Sequence, residues 1–216
     1  MPYKAVIFDL DGTLLDTLED LHASVNHALA QHGLPQRSLR EIRSFLGNGV
    51  TELVRLSVPA DCPEELASQV LDAFKERYAL HSTDHTAPYP QVKELLRSIS
   101  RRGLGCAVVS NKMDSAVQGL VSAHFPGLFD AVVGERAGVR RKPAPDSLLA
   151  VMDGLGLAAR DVVYVGDSEV DLETARAAGV DCIAVSWGFR DRGFLVTHGA
   201  TRIADTAAEL AGLVLP

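Results

Sequence analysis

The apolar run Ala5-Val6-Ile7-Phe8 stops abruptly at two acids one residue apart, Asp9 and Asp11, followed by Gly12. Consecutive apolar residues without alternation predict a strand buried on both faces, as in a parallel sheet. Packing gives no reason to end such a strand in two carboxylates. In open α/β sheets ligands bind outside the carboxyl ends of the strands, so Asp9 stands where a site is expected. An ordinary Asp-Gly turn after a solvated strand end would account for the same residues. The rest of the chain decides between the two.

After Leu15 the period changes from strand to helix. Leu18, Leu21, Val25, Ala28 and Leu29 recur at helical spacing, with Asp16 or Thr17 as N-cap and Gly33 and Pro35 as the stop. Ser38 and Glu41 form a capping box that opens a second helix carrying Ile42, Phe45 and Leu46, broken by Gly47-Asn48-Gly49. A third helical piece holds Leu53, Val54 and Leu56. The fourth starts at Pro63 and shows Leu66, Val70, Phe74 and Tyr78 at spacing four. No strand pattern falls in this block, which predicts an all-helical insertion over residues 16–83.

From Pro90 short apolar runs alternate with amphipathic helices. Leu104 to Val109 ends at Ser110-Asn111-Lys112, Phe129 to Val133 at Gly134, Asp161 to Val165 at Gly166-Asp167, and Cys182 to Val185 at Ser186-Trp187. A last helix follows Asp205 as its N-cap. The alternation predicts an α/β fold, a doubly wound parallel sheet formed by residues 1–15 and 84–216 with the helical domain inserted. Right-handed crossovers bring the strand ends to one edge, so Asp9, Ser110, Asn111 and Asp167 are expected in one crevice. The helical block leaves that same edge and reads as a lid.

Composition excludes several function classes. With 47% hydrophobic and 23% charged residues and no apolar stretch long enough to span a bilayer, the expectation is a soluble cytoplasmic protein without a membrane partner. The N-terminal segment lacks the basic and apolar regions of a secretory leader. A formal charge of −7 argues against nucleic acid, which demands a basic face. Cys62, Cys106 and Cys182 form no C-x-x-C pair, and the last two sit in strand-like runs as core residues. His81 and His85 have metal-like spacing but lie in a polar stretch with poor helix character.

The expected crevice holds Asp9, Asp11, Asp167 and Asp171, with Ser110, Asn111 and Lys142 as donors. Four carboxylates together need protons or a cation, and oxygen ligands without Cys or His favour Mg²⁺. Magnesium on carboxylates commonly also holds phosphate oxygens, which points to phosphoryl transfer.

Asp9-Leu10-Asp11-Gly12-Thr13-Leu14 resembles the first motif of the haloacid dehalogenase superfamily. Val108-Val109-Ser110-Asn111 resembles its second, Lys142-Pro143-Ala144-Pro145-Asp146 its third, and Val165-Gly166-Asp167-Ser168-Glu169-Val170-Asp171 its fourth, in the family's order along essentially the whole chain. The resemblance implies a phosphatase with a helical cap and Asp9 as nucleophile through an aspartyl phosphate. It implies Asp11 as proton carrier, with Asp9, Asp11 (by its carbonyl) and Asp167 as Mg²⁺ ligands. Ser110, Asn111 and Lys142 would bind the phosphoryl group, while Asp171 and Thr13 would support from behind. Pro143 is expected to hold Lys142 extended and so fix its direction.

The cap segment from Ile42 to Val50, with Ser186-Trp187-Gly188-Phe189-Arg190, resembles the phosphoglycolate phosphatase branch. This implies a small phosphate ester as the partner, 2-phosphoglycolate, with Asn48 and Arg43 on the substrate and Arg43 or Arg190 meeting its carboxylate. The chain would work as a monomer or homodimer. A pyrophosphatase, a nucleotide or sugar-phosphate phosphatase, and a phosphomutase would share every core motif. A non-enzymatic binding protein would usually lack one of them, and none is missing here.

Overall fold

A computed structural model describes residues 3–215, and the chain divides into two compact units. One comprises the segments up to Asp16 and from Pro88 onward; the other is Thr17–Ala87. The first strand, β1 (Ala5–Phe8), is fully buried and ends where expected. Its ladder runs one step further, since the Asp9 N–H donates to Val165 O at 2.9 Å. Leu10 O then accepts from Leu14 and Leu15 N–H, closing a tight turn in which Gly12 takes φ +81°, a conformation open to glycine at little cost. Leu15–Asp16 forms a short strand, β2, at a point where the sequence pattern suggested none.

The second unit is built of α1 (Leu18–Gln31), α2 (Leu39–Phe45), α3 (Val50–Ser57) and α4 (Glu64–His81). Helix α1 ends with Gly33 at φ +66° and the Leu34 N–H on Leu29 O, a Schellman closure that satisfies otherwise orphaned carbonyls. The capping box on α2 is present: Ser38 N–H reaches Glu41 Oε2 at 2.8 Å and Glu41 N–H reaches Ser38 Oγ at 3.3 Å. Leu21, Val25 and Leu29 of α1, Ile42 of α2, Leu53 of α3, and Val70, Phe74 and Tyr78 of α4 are buried, with Phe74 and Tyr78 stacked at 5.5 Å. The unit closes on itself through Asp20. Its buried carboxylate accepts from the N–H groups of His85 and Thr86 and from the Thr86 hydroxyl, at 2.7 to 3.1 Å.

Strand β3 (Ala87–Pro88) spans the boundary, and the first unit continues through α5 (Val92–Arg101), β4 (Gly105–Met113), α6 (Asp114–His124), β5 (Ala131–Glu135) and α7 (Asp146–Gly154). Then follow β6 (Val162–Gly166), α8 (Glu169–Ala178), β7 (Asp181–Val185), α9 (Arg192–Thr197), β8 (Ile203–Ala204) and α10 (Ala207–Val214). Strands β2 and β3 pair as a two-stranded ladder. The main sheet has the order β5-β4-β1-β6-β7-β8, and its pairings are parallel. Val6 and Phe8 pack with α5, α6 and α10 on one face; Ile7 and Tyr164 pack with α7 and α8 on the other. From β1 the chain winds out to β5 on one side and to β8 on the other. The reversal falls between β1 and its neighbours, and a crevice opens outside the carboxyl ends there.

Three local expectations change. Strand β4 does not stop at Ser110 but runs on to Met113, with a register shift against β5 between Val109 and Met113. Its polar residues find partners inside the protein, so polarity does not end it. Helix α10 is capped by Thr206, whose hydroxyl accepts from Glu209 N–H, while Asp205 pairs with Ser186 and Arg192. Helix α9 and strand β8 were not legible, being too short to show a period.

Asp20→Ala strands the N–H groups of His85 and Thr86 and the buried Thr86 hydroxyl. It should cost about 2–3 kcal/mol, read by urea unfolding followed by circular dichroism. Stability within about 0.5 kcal/mol of wild type would contradict the clamp.

Candidate active site

Asp9 sits at the end of β1 with 8% of its surface exposed. Its Oδ1 accepts from the Leu10 N–H at 2.7 Å and from Lys142 Nζ at 3.0 Å. Burial pushes its carboxyl up from the ordinary 3.8 to about 7; Lys142 pulls it down, and Asp171 and Asp11 push it up again.

Lys142 is itself buried, and its ammonium has an acceptor for each proton: Asp9 Oδ1, Asp171 Oδ1 at 2.7 Å and Tyr164 Oη at 3.0 Å. Burial works against its charge, yet Asp171 and Asp9 outweigh it and hold the lysine well above its ordinary range. The Lys142–Pro143 peptide is cis. Asn111 clamps the main chain of Lys142 from β4, its amide donating to Lys142 O at 3.0 Å and its Oδ1 accepting the Lys142 N–H at 2.9 Å. The Asn111 side chain thus positions the lysine, a role the sequence did not suggest. Tyr164, the one polar-tipped residue in the run of β6, fixes the same ammonium from below and donates to Val109 O. A buried tyrosine hydroxyl needs a partner, and that was the signal available for it.

Asp171 lies in the first turn of α8. Its second oxygen accepts from the Ser168 N–H at 3.1 Å and the Ser168 hydroxyl at 2.7 Å, so both oxygens are engaged by protein donors. Asp167, just before α8, accepts from Phe189 N–H at 2.8 Å and Thr13 Oγ1 at 3.2 Å. Burial, Asp171 and Asp9 push its carboxyl well above the ordinary range. Glycine makes this crowding possible. A Cβ on Gly188 would stand 2.3 Å from Gly12 O and 2.4 Å from Asp167 Cβ; one on Gly12 would meet Asp167, and one on Gly166 would meet Asp171, at under 2.5 Å.

Lys112, on β4 beyond Ser110, is a further cation of the site. Its Nζ lies 2.9 and 3.0 Å from the two oxygens of Asp11, and its side chain is 2% exposed. Strand alternation, which puts residues 110 and 112 on one face, is the signal in the sequence for it. Ser110 is buried at the same edge and its Oγ accepts the Lys112 N–H.

The carboxyl groups of Asp9, Asp11, Asp167 and Asp171 thus share this edge with the ammonium groups of Lys112 and Lys142. Oxygens of Asp9, Asp167 and Asp171 lie within 4.8 Å of one another. With Asp171 committed to protein donors, Asp9 and Asp167 are the carboxylates that fit a hard divalent cation such as Mg²⁺.

The remaining candidates lie elsewhere. Arg43, in α2, and Asn48, in the turn after it, are exposed residues of the Thr17–Ala87 unit. Arg190 is bidentate on Glu169 at 3.0 and 3.2 Å and stands 5.3 Å over the Phe194 ring, so its charge is already matched. His81 faces Asp84 and His85 faces Glu19, each with its own carboxylate.

A family model described as haloacid dehalogenase-like hydrolase matches residues 6–185. The chain is 36% identical over 192 residues to a phosphoglycolate phosphatase of Pseudomonas savastanoi, covering 86% of this chain and 70% of that protein. Against one of Cereibacter sphaeroides the identity is 39% over 189 residues, 86% of each chain. Among solved structures, a protein of Lactobacillus delbrueckii described provisionally as a phosphoglycolate phosphatase superposes with TM-score 0.93 at 41% identity, over 100% of this chain and 99% of that one. CbbY from Rhodobacter sphaeroides, solved with phosphate, gives 0.79 at 27% identity over 96% of each.

Gly188→Ala should lower stability by about 1–3 kcal/mol in urea unfolding. Gly119→Ala, inside α6 with nothing within 4 Å, should raise it by about 0.4–1 kcal/mol. The raised Asp9 carboxyl adds a pH dependence in protein stripped of metal. The folded state keeps a proton that the unfolded chain releases near 3.8, so stability falls as pH rises from there to about 7. A divalent cation on Asp9 and Asp167 would remove that loss. The rise in Tm on adding Mg²⁺ should be larger at pH 8 than at pH 5.5; an equal rise at both would contradict it.

Proposed function

This chain belongs to the haloacid dehalogenase-like hydrolases and is a phosphoric monoester hydrolase; on that premise we propose that it converts 2-phosphoglycolate to glycolate and phosphate through an aspartyl phosphate on Asp9. The observation that carries this reading is the state of Asp9. One oxygen is held by Lys142 and the Leu10 N–H, and Oδ2 has no protein donor among the described residues. A carboxylate fixed by one oxygen offers the other as a nucleophile.

In the first step Asp9 Oδ2 forms a bond to phosphorus, the ester P–O bond breaks, and the leaving oxygen takes a proton from Asp11. The Ser110 hydroxyl and the Asn111 main-chain N–H hold the phosphoryl oxygens, and Lys142 offsets their charge together with that of Asp9. In the second step water attacks phosphorus, its proton passes to Asp11, and the electron pair of the breaking P–O bond returns to Asp9. Asp171 and Tyr164 keep the lysine aimed, and Thr13 steadies Asp167. Mg²⁺, held by Asp9, Asp167 and the Asp11 carbonyl, would supply the positive charge the carboxylates lack.

In this reading residues 16–83 serve as the cap and residues 1–15 and 84–216 as the catalytic core. Substrate choice then falls to cap residues. Since Arg190 is paired with Glu169, Arg43 is the cation assigned to the substrate carboxylate, with Asn48 beside it in sequence. We take the setting to be cytoplasmic and the working state a monomer or homodimer, with no nucleic-acid or membrane partner. No helix among the described residues is long and apolar enough to cross a membrane. One observation favours a sugar phosphate instead: a point mutant of CbbY, 28% identical to this chain, was solved with xylulose-1,5-bisphosphate.

Phosphate release with Mg²⁺ from 2-phosphoglycolate, pyrophosphate, nucleoside monophosphates, pentose phosphates and 4-nitrophenyl phosphate separates these readings. 2-Phosphoglycolate should lead in kcat/KM by at least about tenfold, and a pentose phosphate in that place overturns the substrate assignment. Asp9→Asn should lose at least about a thousandfold. Arg43→Ala should raise KM for 2-phosphoglycolate about tenfold and leave that for 4-nitrophenyl phosphate within about twofold; equal losses remove Arg43 from the substrate.

A further inference from the structure

Lys112 belongs to no step of the reaction described so far, yet among the described residues it is one of two buried ammonium groups at this edge of the sheet. Its Nζ meets both oxygens of Asp11, at 2.9 and 3.0 Å, and the side chain is 2% exposed. The backbone beneath it has little freedom. A Cβ on Gly134 of the neighbouring strand would stand 2.6 Å from Lys112 O and 2.5 Å from Asp114 Cα, and the Gly134 N–H is held by Asp114 Oδ1 at 2.8 Å. The Lys112 N–H also donates to Ser110 Oγ. The register shift of β4 against β5 lies over this stretch, and such irregularities re-aim side chains beside active sites.

From this geometry we infer that Lys112 is a positioning residue, holding both oxygens of Asp11 so that the carboxylate is set to accept the proton of the water that hydrolyses the phosphoenzyme. In that step the water oxygen bonds to phosphorus, the bond from phosphorus to Asp9 breaks with its electron pair returning to Asp9, and the water proton goes to Asp11. Lys112 neither gains nor loses a proton. A two-oxygen grip fixes the plane of the carboxylate and matches an acceptor, which is its role in the second step. The inference rests on the reading of Asp9 as nucleophile and Asp11 as proton carrier.

A substrate with a stable leaving anion isolates that step. With 4-nitrophenyl phosphate and Mg²⁺ the first step needs little help from an acid, so kcat/KM reports phosphoryl transfer to Asp9 and kcat reports hydrolysis of the phosphoenzyme. Lys112→Met should lower kcat about tenfold or more and KM by a similar factor, with kcat/KM within about threefold of wild type. Acid-quenched intact mass should show the phosphoenzyme as the main steady-state form. Lys112→Arg should restore kcat to within about threefold. A kcat and kcat/KM that fall together, without phosphoenzyme, overturn the inference. Lys112→Gln gives the same readout, with the same two outcomes, where the Met variant lacks a cooperative melt. Asp11→Asn tests the underlying reading separately. Without phosphoenzyme in Asp11→Asn, the proton-carrier role fails whatever Lys112 does; with it there and not in Lys112→Met, only the role of Lys112 fails.

Discussion

A single buried ammonium holds the crevice together. Lys142 touches Asp9 from β1, Asp171 from α8 and Tyr164 from β6, so three segments far apart in sequence meet on one nitrogen. Buried charge is tolerated only when paired and hydrogen-bonded, and here each proton of the lysine has an acceptor. Removing one partner would leave the others with an unmatched charge in a dry site. The positions of the nucleophile candidate and of the first turn of α8 are therefore coupled. Asn111 extends the coupling to β4 by gripping the main chain of the same residue.

The sheet supplies the frame for this. Parallel pairing of β1 with β4 on one side and β6 on the other puts Asp9, the Ser110–Lys112 stretch and Asp167 at one end without any long loop. Glycines then let the backbone close in. At Gly12, Gly166 and Gly188 there is no room for a single added carbon, because the space belongs to the carboxylates of Asp167 and Asp171 or to a main-chain oxygen. Two acids can stand this close only where dipoles and cations surround them, which is what Phe189 N–H, Thr13 and Lys142 provide.

Much of this was legible in the sequence, for reasons that can be named. The apolar run before Asp9, the alternation after Pro90 and the helical spacing between Leu18 and Tyr78 each carry a period that burial imposes, so the doubly wound core and helical unit followed directly. Asp9, Asp11, Ser110, Asn111 and Asp167 were legible because polar residues at the ends of apolar strands conflict with packing, whereas Lys142 and Asp171 were legible through the motifs that contain them. Partnership was harder to read. That Asn111 would hold Lys142, that Lys112 would grip Asp11 and that Arg190 would be spent on Glu169 depends on distances between segments 21 to 101 residues apart, which no local pattern encodes. Strand β4 was cut short for the same reason: polarity at Ser110 looked like exposure, but the residues are buried among partners.

The Asp20 clamp has a bearing on how such a chain can be rearranged. By gripping His85 and Thr86, the first turn of α1 brings the two ends of the Thr17–Ala87 segment together. Segments whose ends meet are the ones that tolerate excision, replacement or transplantation, because the host chain sees only a short gap to bridge. Its length and internal design can drift while the sheet keeps its register. The helical unit is thus a cassette, and a lineage carrying this scaffold can trade one for another without refolding the sheet.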